Sequence, residues 1–100
     1  MPIAVTLELK TQPGKRDDLV AALNGMLPDT RARKGAGKIE MVVDQDDADR
    51  ILIYEIWETK QDQLDYLGWR KERGDLDALS GFVAEPPVFR YFDIADRHEG

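Results

Sequence analysis

The stretch Ile51-Leu52-Ile53-Tyr54-Glu55-Ile56-Trp57 is apolar at every position except Glu55. β-Branched and aromatic side chains in a short run of this kind read as a β-strand. A strand with one face in water alternates apolar and polar residues, and this one does not. The segment Val88–Ile94 behaves the same way: Val88, Phe92 and Ile94 fall on one side, Phe89 and Tyr91 on the other. Helices of the same chain can cover one face of such a sheet. The second face then needs another cover, and a second copy of the same sheet is the simplest one.

The remaining elements follow from local patterns. Ile3, Val5, Leu7 and Leu9 alternate with Ala4, Thr6, Glu8 and Lys10, the two-residue period of a first strand. Gln12-Pro13-Gly14-Lys15 breaks it, and Leu19, Val20, Leu23, Met26 and Leu27 then form one stripe of a helix, with Asp17 and Asp18 suited to its positive end. Pro28 predicts a kink with a last turn to about Arg33, closed by Gly35-Ala36-Gly37. Strands are expected at about Lys38–Val43 and Arg50–Glu58, joined by the polar turn Asp44–Asp49. A second helical region follows, with Leu64 and Leu67 as its first apolar pair. Gly74 interrupts it, and a short helix then carries Leu76, Leu79, Phe82 and Val83 until Glu85-Pro86-Pro87 stops it. The order is β-α-β-β-α-β with a split second helix: an α+β, ferredoxin-like domain over residues 1–100, frayed at 1–2 and about 95–100.

Charge and chemistry narrow the function. A net charge of −6 speaks against nucleic acid or an anionic membrane as partner. The basic run Arg31, Arg33, Lys34 and Lys38 reads as a helix end and the loop after it. With no cysteine, disulfide and thiolate chemistry are excluded. No long apolar run and no leader pattern follows Met1, so a cytoplasmic protein is expected. Asp44, Asp46 and Asp49 faintly echo a calcium loop, but Ala48 and Asp49 stand where a ligand and the turn glycine belong. His98 alone makes no transition-metal site. Gly35-Ala36-Gly37-Lys38 lacks the first glycine and the following helix of a phosphate loop, and Ser80 has no histidine nearby in sequence to activate it. No metal and no cofactor is expected.

Two features remain. Glu55 sits in an apolar strand, where a carboxylate has to be paired, hydrogen-bonded or protonated. An ion pair with Arg90 or Arg73 answers that need; so does a base whose pKa burial has raised. Trp57 ends the same strand, and Tyr66 and Trp69 lie one helical turn apart just after it. These aromatics suit either core and interface packing or the wall of a pocket for a flat ligand.

The segment DQDDADRILIYEIWET, Asp44–Thr59, resembles the hairpin-and-strand signature of the antibiotic biosynthesis monooxygenase family. Pro13-Gly14-Lys15, Arg33–Gly35 and Ala84-Glu85-Pro86-Pro87 fall in similar places. The resemblance implies a dimeric α+β barrel, two sheets face to face, with a pocket between sheet and helices in each chain. It also implies oxidation of quinol-like or polycyclic phenols by dioxygen with no metal or flavin. A haem-degrading branch uses an asparagine on the first strand, a tryptophan on the second helix and a histidine after it. Here the one asparagine is Asn24 in the first helix, Tyr66 takes the tryptophan's place, and no histidine precedes His98. Haem turnover is therefore not expected. The histidine that many other members carry after the second helix is replaced by Trp69-Arg70-Lys71-Glu72-Arg73-Gly74.

Two functions fit these residues. One is a cofactor-independent monooxygenase with Glu55 as base, Arg73 stabilising a phenolate, and Trp57, Tyr66, Trp69 and Phe82 as pocket walls. The other is a non-catalytic dimeric module that binds a small apolar ligand or modulates a partner. In either case the expected partners are a second copy of the chain and a small aromatic molecule.

Overall fold

A computed structural model describes residues 1–97. His98 and the last residues of the segment expected to fray lie outside the described residues. The chain runs β1 (Ile3–Lys10), α1 (Arg16–Arg31), β2 (Ala36–Val43), β3 (Arg50–Trp57), α2 (Lys60–Glu72), α3 (Asp75–Leu79), a 3₁₀ turn (Ser80–Phe82) and β4 (Val88–Asp93). The four strands form one antiparallel sheet in the order β2-β3-β1-β4, which is the ferredoxin-like arrangement expected from the sequence.

Pairing register decides which residues reach the core. Val5 sits opposite Glu55 on one side and Tyr91 on the other, and Ile39 flanks Glu55 from β2. These side chains share the helix-covered face, together with Leu7, Leu9, Ile51, Ile53, Trp57 and Phe89. α1 lies on this face and buries Leu19, Leu23 and Leu27 against it. Its helix continues through Pro28 to Arg31, two residues short of the expected end. The loss is tolerable so near the C-terminus, where only one hydrogen bond, to the carbonyl four residues back, is forgone.

Two glycines shape the connections. Gly35 has φ +82°, and an added Cβ would collide with the Asp62 side chain, so a side chain there is refused twice over. Its carbonyl accepts from the Glu58 amide at 2.8 Å, which ties the start of β2 to the end of β3. β2 begins at Ala36, earlier than expected, because a register shift between Ala36 and Ile39 lets the extra residues pair. Gly74, at φ +79°, splits the second helical region as its position predicted.

α2 departs from its sequence pattern. Leu64 is 41% exposed, while Gln63 and Arg70 are buried. The fully buried residues of α2 are therefore polar, with Leu67 half-buried beside them at the smaller cavity, and Leu64 points away from the sheet. The opposite face of the sheet carries no helix. There Val42, Val88 and Phe92 are exposed, and Leu52 and Tyr54 are half-buried beside them. Among the described residues no helix is long and apolar enough to cross a membrane.

Candidate functional site

Between the sheet and the helices lie two adjoining cavities. The larger, about 280 Å³, is walled by Leu7, Leu9, Leu19, Leu23, Leu76, Leu79, Val83, Pro87 and Phe89, with Ser80 its one side chain bearing a hydroxyl. The smaller, about 50 Å³, shares Leu7, Leu23, Leu76, Leu79 and Phe89 with the first and ends on Thr30, Tyr66 and Glu55. A water takes up about 30 Å³ of liquid, so the smaller space suits one hydroxyl group and little more.

Glu55 is brought there by strand register. It is 4% exposed, and its flanking neighbours Val5 and Ile39 are apolar. The Trp57 indole, two residues on and on the same face, donates to Glu55 Oε1 at 2.7 Å. Burial pushes the Glu55 pKa up, and the indole hydrogen bond opposes part of that rise. Among the described residues only this indole hydrogen-bonds the carboxylate. The expected ion pair is not formed. Arg90 lies on the opposite face of the sheet, 3.9 Å from Glu8, because β4 alternation sends it away from Glu55. Arg73 pairs with Asp75 at 3.1 Å instead.

The polar end of the smaller cavity is built by α1 and α2 together. Arg70, 2% exposed, donates from Nε to the Tyr66 hydroxyl at 3.0 Å and from Nη1 to Asp75 at 2.9 Å. Its Nη2 reaches the Met26 carbonyl at 2.8 Å and Thr30 Oγ1 at 3.1 Å. Thr30 and Tyr66 share a hydrogen bond of 2.7 Å between their hydroxyls. A buried guanidinium satisfied in this way fixes the phenol ring of Tyr66 against the cavity. The Arg70 charge also keeps Asp75 well below the ordinary carboxylate range, chiefly through their hydrogen bond. A second buried pair joins α2 to β4: the Tyr91 hydroxyl donates to Gln63 Oε1 at 2.8 Å. Burial raises the Tyr91 pKa, and the negative charge of Glu55 raises it further.

The structure divides the residues that the sequence singled out. Glu55 and Tyr66 face the smaller cavity. Trp57 is fully buried behind them, its ring 5.3 Å from that of Tyr66, and holds the carboxylate instead of walling the space. Trp69 lies outward of Tyr66, their rings 6.3 Å apart, with the guanidinium groups of Arg33, Arg70 and Arg73 each 4.7 Å from its centre. Arg73 is half exposed on the outer side of this stack. Phe82 packs half-buried against the core from the 3₁₀ turn. None of Trp57, Trp69, Arg73 or Phe82 lines either cavity. Sequence reasoning missed Thr30, Arg70, Gln63 and Tyr91. The available signal was spacing: Gln63, Tyr66 and Arg70 fall at i, i+3 and i+7 on one side of α2. Among the described residues no three histidine, aspartate or glutamate side chains converge as a metal site.

Residues 2–72 match the family model described as antibiotic biosynthesis monooxygenase. A solved protein from Shewanella oneidensis shares the fold with TM-score 0.79 at 21% identity, over 91% of this chain and 88% of that one. A protein from Mycobacterium tuberculosis does so with TM-score 0.74 at 22% identity, over 99% and 100%. A third, described as an antibiotic biosynthesis monooxygenase, gives TM-score 0.82 at 13% identity, over 94% and 99%. At these identities the likeness is one of fold. No curated protein matches the chain.

Proposed function

The chain belongs to the antibiotic biosynthesis monooxygenase family, and on that footing we propose that it oxidises a quinol-like or other electron-rich aromatic molecule with dioxygen, without a cofactor. The observation that carries this reading is Glu55: a buried carboxylate with a raised pKa, oriented by one indole and facing a cavity. A carboxylate of raised pKa is a better base than a solvated one.

The steps use few groups. The ligand hydroxyl enters the smaller cavity and gives its proton to Glu55. The anion left behind is electron-rich, and a ring carbon of it bonds to dioxygen. Cleavage of the O–O bond, with protons returned to the leaving oxygen, releases water. One quinol and one dioxygen give one hydroxyquinone and one water, so no outside reductant is required. The Tyr66 hydroxyl, held by Arg70 and Thr30, marks the end of the space that the ligand hydroxyl enters. The leucine-rich walls exclude water from the reduced oxygen species. Arg73 takes no part in this reading, since its guanidinium is engaged by Asp75 and Trp69.

We further propose a homodimer that covers the open sheet face. Val42, Val88 and Phe92 there are 41–47% exposed, a row of large apolar groups that a second sheet would bury. Sedimentation equilibrium at micromolar concentration should return about twice the 11.4 kDa chain mass; a concentration-independent monomer would remove the barrel. For the reaction, the test is oxygen uptake against a panel of quinols after metal removal. Uptake with equimolar hydroxyquinone supports the proposal, and its absence across the panel overturns it.

A further inference from the structure

The larger cavity has a chemistry that the proposed reaction does not use. Its walls are hydrocarbon apart from Ser80, and the Ser80 hydroxyl is engaged at 2.6 Å by the Asp77 carbonyl. A ligand oxygen placed there would go without a partner, at a cost that hydrocarbon does not carry. Volume adds a second constraint. A cavity of about 150 Å³ lined by apolar side chains takes a benzene ring. The 280 Å³ present therefore holds one ring and leaves nearly half its space beyond it.

Strand register gives the direction. Glu55 pairs with Val5, Ile53 with Leu7 and Ile51 with Leu9, so the walls step away from the carboxylate along β1. Four residues at about 3.4 Å each set the Leu9 row about 14 Å from the Glu55 row. Leu76, Ser80 and Pro87 are exposed at the rim. The order from Glu55 outward is a hydroxyl-sized space, a ring-sized space and a leucine-lined remainder.

We infer that this site takes a single-ring phenol or quinol bearing a hydrocarbon chain, with the hydroxyl at Glu55 and the chain along Leu9, Leu19 and Val83. This deepens the proposed function and rests on its placement of a hydroxyl-bearing aromatic between sheet and helices. Polycyclic ligands with several oxygens are disfavoured, because the outer walls offer those oxygens nothing. Carboxylate-headed chains are disfavoured as well, since their charge would meet Glu55.

The test is equilibrium binding under nitrogen with 4-ethylphenol, 4-butylphenol and 4-hexylphenol, with hexanoate as the charged comparison. Each buried methylene should tighten binding about fourfold, so hexylphenol, with four more of them, should exceed ethylphenol by about 250-fold, and hexanoate should bind far more weakly. Val83→Trp, at a half-buried wall of the larger cavity alone, should abolish the chain-length dependence. Pro87→Trp provides a second, exposed plug should the first disturb the fold, which circular dichroism will tell. Equal affinities across the phenols, hexanoate binding as tightly as hexylphenol, or correctly folded plugged variants that keep the length dependence would each overturn the inference. Because no oxygen is present, failure of the oxidation leaves this result standing, and oxidation of short quinols with flat length dependence leaves the reaction standing without the chain.

Discussion

α1 and α2 cover the same face of one sheet by opposite means. α1 buries Leu19, Leu23 and Leu27, with Thr30 the one polar side chain buried beside them. α2 buries Gln63 and Arg70, with Tyr66 half-buried between them, and leaves Leu64 in solvent. The apolar helix gains its stability by removing hydrocarbon from water. The polar helix holds a guanidinium whose hydrogen bonds pin each partner in place. Its buried amide, Gln63, accepts from Tyr91 through Oε1, while Nε2 has no hydrogen-bond partner among the described residues. The difference teaches where the site is. A cavity needs a hydrocarbon wall to stay dry and a polar end to orient a ligand. Of these two helices α1 supplies most of the wall, and α2 supplies most of the polar end, which Thr30 of α1 completes.

The largest expected effect comes from breaking the polar helix. Arg70→Ala removes one donor each from the Tyr66 and Thr30 hydroxyls, the Met26 carbonyl and Asp75, and leaves a void where the buried side chain stood. Removing one partner of a buried pair costs about 3–5 kcal/mol, and solvent near Asp75 puts this case at about 3 kcal/mol. The melting temperature should drop by about 15 °C. A loss no larger than that of Arg90→Ala, a surface substitution, would mean that the network contributes nothing to α2 docking.

Breaking the apolar helix should cost less. Leu27→Ala removes a buried side chain at the edge of the smaller cavity, where neighbours already have room to close. The lower end of the usual range applies, about 2 kcal/mol by denaturant unfolding. If Leu27→Ala proves the more damaging of the two, the assignment of roles to the two helices is reversed.

A smaller effect separates Glu55 from both. Its folded pKa lies above the ordinary value of 4.5, because burial favours the neutral carboxyl. That contribution is fully present below about pH 4.5 and is lost as pH rises through the folded pKa. Glu55→Gln keeps an acceptor for the Trp57 indole but no longer ionises. Relative to the parent, the variant should therefore gain stability between pH 4 and pH 7 in thermal melts. A constant difference across that range would mean that the carboxylate is as well solvated folded as unfolded.

Much of this fold is legible in the chain because its signals are local. Alternation gives β1, the fully apolar run gives β3, and Gly74 marks the break between α2 and α3. Glu55 stands out because one charge in an apolar strand is conspicuous. Arg70 does not, because Trp-Arg-Lys-Glu-Arg reads as a solvated helix end, and burial of its first arginine depends on Met26 and Thr30 more than forty positions away or close to it. The aromatics end in different surroundings because each sits on a different element: Trp57 on β3 beside Glu55, Trp69 on the outer side of α2 among arginines, and Phe82 on the 3₁₀ turn against the core. Cavities arise between elements, so no spacing along the chain announces them.

The central claim is that Glu55 is the base of an oxygen-consuming site. Oxygen uptake by metal-free parent and Glu55→Gln protein, run side by side on an alkyl hydroquinone, tests it directly. The account predicts steady uptake by the parent with one water formed per dioxygen, and a kcat lower by about 10²–10⁴ in the variant with fold and ligand affinity retained. Equal rates from the two proteins, or no uptake from the parent while it binds the hydroquinone, would contradict it.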